Sequence, residues 1–138
     1  MPGSYLIDVE RGIVFSRGWG VLTDQDITDH PVALAADPRF DPGFRQIIDF
    51  GDAKEIRITT EGVRAAADRN PFRRDARRAF VVASDEAYGL SRMFWAFTDS
   101  SAEQFAIFRA MAPALAWIGL DPQTPWPSQA PDKVFGEG

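Results

Sequence analysis

The chain contains no cysteine, so disulfides, thiolate nucleophiles and thiolate–metal sites are excluded together. His30 is its single histidine, which leaves no two-histidine metal centre and no Cys–His pair. Positive charge is in deficit. The formal net charge is -5, and a surface of that sign does not displace counterions from nucleic acid. No apolar run approaches the ~20 residues a bilayer-spanning helix needs. The N-terminal stretch to Gly12 has neither the basic region nor the long apolar region of a secretion signal. No phosphate-binding glycine pattern occurs either, since Gly18-Trp19-Gly20 is too short to form one. These absences give an expectation of a cytoplasmic protein without metal, cofactor or catalytic centre, and therefore not an enzyme.

What remains is enough for one domain: 138 residues, 45% of them hydrophobic, can build a single core. The most informative stretch runs from Arg77 to Phe97. It sets the unbroken apolar run Ala79–Ala83 against a helix from about Asp85 to Phe97, with Ser84 at the join as N-cap. A strand with no polar alternation is covered on both faces, which places it inside an α/β sheet. Upstream, Tyr5–Val9 and Ile13–Phe15 form a hairpin about Gly12. Thr23-Asp24-Gln25-Asp26 then opens a helix that Pro31 should kink or break.

Phe44–Phe50 is the third strand, with Asp49 at its carboxyl end and a loop beyond it. Thr59-Thr60-Glu61-Gly62 starts the next helix, which Asn70-Pro71 ends. Gln104–Phe108 suits a last strand, and Met111–Ile118 a last helix stopped by Gly119. The remaining segment, 121–138, holds four of the ten prolines and is expected to be an irregular tail behind a domain spanning 1–120. The order β-β-α-β-α-β-α-β-α describes an α/β layer in which two antiparallel strands precede a parallel portion.

Three groups of side chains invite a functional reading. Asp49 and Asp52 lie where α/β sheets often bind ligands, and a carboxylate pair can do acid–base chemistry, although a loop cap beside a solvated carboxylate is the favoured reading. Arg73, Arg74 and Arg77, together with Arg69 and Arg78, could hold an anion or a lipid headgroup. Asp68 and Asp75 partly neutralise them, and a salt-bridged loop is favoured. On the helix 85–97, the 100° spacing gathers Leu90, Met93, Phe94 and Phe97 into a core stripe. It leaves Tyr88, Arg92 and Trp95 on the far side, the composition of a ligand rim or an interface centre. His30, beside Asp29 and before Pro31, is expected in solvent.

Several of these stretches together resemble the small bacterial SpoIIAA-like (STAS-like) proteins across about residues 5 to 120. They are Tyr5-Leu6-Ile7-Asp8, Ile47-Ile48-Asp49-Phe50, Arg78-Ala79-Phe80-Val81-Val82, Ala87-Tyr88-Gly89-Leu90-Ser91-Arg92-Met93-Phe94 and Ala114-Leu115-Ala116-Trp117-Ile118-Gly119. The resemblance implies a mixed sheet of four to five strands with helices mainly on one face. It also implies an interaction or regulatory module, in a group that shares structural features with CRAL-TRIO lipid-binding domains. In the anti-sigma-factor antagonists of that group, the loop after the strand ending in Asp carries a phosphorylatable serine. Here the segment reads Asp49-Phe50-Gly51-Asp52-Ala53-Lys54, without a hydroxyl, so the phosphoserine switch is not expected. The expected partner is another protein or an apolar small molecule. A homodimer and peripheral membrane contact remain compatible with the sequence.

Overall fold

The structure is a computed structural model and describes residues 3–135. Strand β1 (Gly3–Asp8) and strand β2 (Ile13–Thr23) form the leading hairpin, closed where Gly12 takes a φ of 66° that only glycine adopts freely. Helix α1 (Asp24–Ala36) follows directly, with Thr23 and Asp26 exchanging cap bonds. Strand β3 (Arg45–Arg57), helix α2 (Thr60–Asp68), strand β4 (Arg78–Val81), helix α3 (Asp85–Thr98), strand β5 (Phe105–Phe108), helix α4 (Met111–Trp117) and strand β6 (Lys133–Phe135) complete the chain. The sheet order is β5-β4-β3-β2-β1-β6. β2 to β5 run parallel, whereas β1 is antiparallel to both of its neighbours.

Alternation along the strands divides the core in two. On one face, Phe15, Ile47 and Val81 pack under Leu115 of α4 and Ile118 just after it. Burying those two side chains contributes roughly 3–6 kcal/mol. The other face carries α1, α2 and α3, with Val14 against Leu34 and Phe80 against Phe94. Three helices of four share one face, as the resemblance implied, and all four residues of β4 are buried.

Four expectations are corrected. Pro31 neither breaks nor ends α1. Leu34, without exposed surface, anchors the turn after it, and the capping box fixes the start, so losing one backbone donor is tolerated. β3 does not stop at Phe50 but continues to Arg57, because β2 runs on to Thr23 and pairs with it through Thr23↔Arg57. The sheet has six strands, not four to five, and the segment 121–138 is not irregular throughout. Its prolines all precede Lys133–Phe135, which is therefore free to pair with β1 and cover that edge. Asp132 ties the strap down by accepting from the Ile7 N–H at 2.7 Å and from Arg39 at 2.6 Å.

Candidate functional site

A cavity of about 120 Å³ lies between the sheet and the layer formed by α1, α2 and α3. Period-two spacing sends Gln46, Ile48 and Phe50 of β3, and Arg78 and Phe80 of β4, to this face as its floor. Leu34 of α1, Val63 and Ala66 of α2, and Ala87, Leu90 and Phe94 of α3 form the roof. The outer reach of β3 adds half-buried Ala53 and Ile56 at the rim, which the chain reaches because β2 and β3 outrun the rest of the sheet. Apolar atoms dominate the lining.

A chain of polar side chains crosses the floor. The buried Arg78 donates from Nε and Nη2 to Gln46 Oε1 at 3.0 and 2.8 Å, and from Nη1 to Asn70 Oδ1 at 3.0 Å. Gln46 Nε2 donates to Ser16 Oγ at 3.0 Å, and the same oxygen lies 3.0 Å from His30 Nε2. The guanidinium carbon sits 4.4 Å from the Phe72 ring centroid and 5.2 Å from that of Phe94. Among the described residues no carboxylate pairs with it. Burial pushes its pKa down to about 9, and the group still carries its charge at neutral pH.

His30 is not in solvent. Its ring lies 5.5 Å from Tyr5 and 5.7 Å from Phe135, and burial first, then the Arg78 charge, pushes its pKa from 6.5 down to about 4. Between those values the unfolded chain takes up a proton that the folded chain refuses. Stability is therefore complete above pH 6.5 and is lost as pH falls toward 4, by up to about 3 kcal/mol. His30→Phe should flatten this slope. Urea midpoints between pH 4.5 and 7 test it, since the chain has no other histidine and Asp37, held down to about 2 by Arg39, titrates below that window. Equal slopes in both proteins would sink the assignment.

The other sequence-derived sites are dispersed by the fold. Trp95 is not on an outer face. It stacks on Phe105 at 5.9 Å with the planes 2° apart, and its Nε1 donates to Ser100 O at 2.6 Å. Arg92 is exposed, and the Tyr88 ring is covered by Arg109, so Tyr88, Arg92 and Trp95 make no common surface. The inward face of α3 is centred on small Ala87 and Ser91, which let the helix approach closely, not on the aromatic positions that dominate the helical wheel. Arg73 pairs with Asp75, Arg74 with Asp99, and Arg77 donates to Trp117 O, so these three cations are spent separately. Asp49 accepts from the Gly51 N–H at 2.8 Å and faces Arg17 at 3.5 Å, while Asp52 is exposed. Sequence reading missed Gln46 and Ser16 entirely and read Arg78 as part of a surface cluster.

No family model and no curated protein matches the chain. A solved structure does: an uncharacterised protein of the DUF3478 family from Shewanella loihica PV-4, with a SpoIIAA-like fold. It is 18% identical, the match covers 77% of this chain and 83% of that one, and the TM-score is 0.50. The chain has a SpoIIAA-like fold. On this SpoIIAA-like frame the segment after Asp49 is a continuing strand, paired to β2 through Asp52 and Ala53, and holds no hydroxyl side chain as far as Arg57. No helix among the described residues is long and apolar enough to cross a membrane.

Proposed function

We propose that this protein is a non-catalytic binding module that takes an apolar small molecule into the cavity between its sheet and its three-helix layer, without a phosphoserine switch. One observation carries the reading: an apolar space of about 120 Å³ is left open between the sheet and the layer formed by α1, α2 and α3. Protein interiors are otherwise close-packed. An apolar occupant of matching shape removes this lining from water and fills the gap in the packing. The space is comparable in size to the ~150 Å³ apolar cavity that accepts benzene. The alternative of a carboxylate pair at Asp49 and Asp52 has no support from their positions, since Asp49 accepts from the Gly51 N–H and faces Arg17 while Asp52 faces water.

Toluene tests the reading. Saturating toluene should raise the melting temperature of the wild type and leave Ala66→Leu unchanged, because Ala66 borders the cavity, is 3% exposed, and the larger side chain fills the space. Native mass spectrometry of freshly purified protein should show added mass on the wild type alone. A toluene shift of equal size in both proteins, or in neither, counts against the cavity as the site.

A further inference from the structure

We propose that the occupant of the cavity is a monocarboxylate with an apolar body about the size of benzoate, its carboxylate paired with Arg78. This rests on the cavity being the binding site and adds the chemical class of what enters it.

Three observations carry it. Arg78 is 6% exposed and borders the cavity, yet no acidic side chain among the described residues pairs with it. A buried cation is costly unless it is paired, and its protein partners here, Gln46 and Asn70, are neutral amides. Second, the geometry leaves room for an acceptor. A guanidinium has five N–H groups, and three are engaged, one from Nε, one from Nη1 and one from Nη2. One on each terminal nitrogen is left, free to donate to a carboxylate oxygen. Third, the charge balance suits a single negative charge. Asp26, the acidic residue that borders the cavity, is committed to the backbone N–H and the hydroxyl of Thr23. Arg17, at the same border, already faces Asp49. His30 is held neutral. One unpaired cation in an apolar chamber selects a monoanion with an apolar remainder over a dianion such as a phosphate monoester.

Benzoate and toluene have the same ring and nearly the same outline and differ in the charge, so the pair separates this inference from the reading beneath it. Isothermal titration should give benzoate at least tenfold tighter binding than toluene to the wild type. Arg78→Met should remove that advantage and leave toluene binding in place, and Ala66→Leu should remove both. A second measurement needs no variant at the arginine. Benzoate labelled with ¹³C at the carboxyl, bound to the wild type, should stay ionised to lower pH than free benzoate, because pairing with a cation favours the charged form. Toluene binding with benzoate no tighter, a bound carboxyl that titrates at or above the free acid, or benzoate binding that survives Ala66→Leu overturns the carboxylate inference and leaves the apolar cavity standing. Binding of neither compound removes the cavity reading itself.

Discussion

Ile47→Asp should leave the protein largely unfolded at neutral pH. Ile47 has no exposed surface, stands in β3 between Phe15 of β2 and Ala79 of β4, and is roofed by Leu115 and Ile118. An aspartate there meets no donor and no cation, so the cost is that of an isolated buried carboxylate, more than about 4 kcal/mol and comparable to the whole stability of a domain this size. The effect has a pH signature. Burial raises the folded-state pKa of the new carboxyl above its unfolded value, so the penalty grows as pH rises through ~4 and shrinks when acid neutralises the group. The gap between wild type and variant should narrow below that pH. Ile47→Val is the control, expected to cost only about 1 kcal/mol through the methylene lost. Circular dichroism during urea titration at pH 3.5 and 7 reads all three proteins. A folded Ile47→Asp protein at pH 7 would mean that β3 is not the covered centre of the sheet.

Local chemistry was enough to read most of the elements. Ser84 before an acidic first turn, Thr59 three residues before Gly62, Gly12 in a hairpin and Gly119 after α4 are signals carried by a few neighbouring residues, and each stands where expected. Features that depend on distant pairing were not legible. The length of β3 beyond Phe50 is set by β2, whose outer residues Trp19 to Thr23 offer it a partner, and β6 exists because β1 has an open edge. Nothing inside Gly51–Arg57 or Lys133–Phe135 announces a strand.

The site was harder to read, for a related reason. Arg78 occurs in a run of cations, and counting charge along the chain grouped it with Arg73, Arg74 and Arg77, which are solvent-facing. The signal that separates it is alternation. Arg78 stands one residue before the run Ala79–Ala83 that was read as the strand, and because β4 begins at Arg78, it shares the parity of Phe80 and is buried with it. Trp95 shows the converse error. Large residues set the direction of a helical wheel, but the packed face of α3 is set by Ala87 and Ser91, where the backbone can come close. His30 gave no local signal, since its burial comes from Tyr5 and from Phe135 at the far end of the chain.

Gln46→Leu should cost about 2–4 kcal/mol, more than the loss of one exposed amide can explain. Gln46 is 2% exposed, and its Oε1 accepts two of the three N–H bonds that Arg78 makes. Removing it leaves a buried guanidinium with one acceptor, the Asn70 amide, and takes a donor from Ser16. Arg78→Met should cost less, within about 1–2 kcal/mol. It strands the Gln46 and Asn70 oxygens but also removes a buried charge, and a flexible apolar side chain fits among Phe72, Phe80 and Phe94. The double variant brings two apolar side chains together where a polar pair stood, and should be more stable than Gln46→Leu alone. Urea unfolding of the four proteins closes the cycle, with a favourable coupling larger than the cost of Arg78→Met, at least about 2 kcal/mol, expected. Simple additivity would show that the two residues do not act as a unit. A double variant as stable as the wild type, yet unable to prefer benzoate over toluene, would separate the two uses of this polar layer: the fold does not need it, and recognition of a charged ligand does.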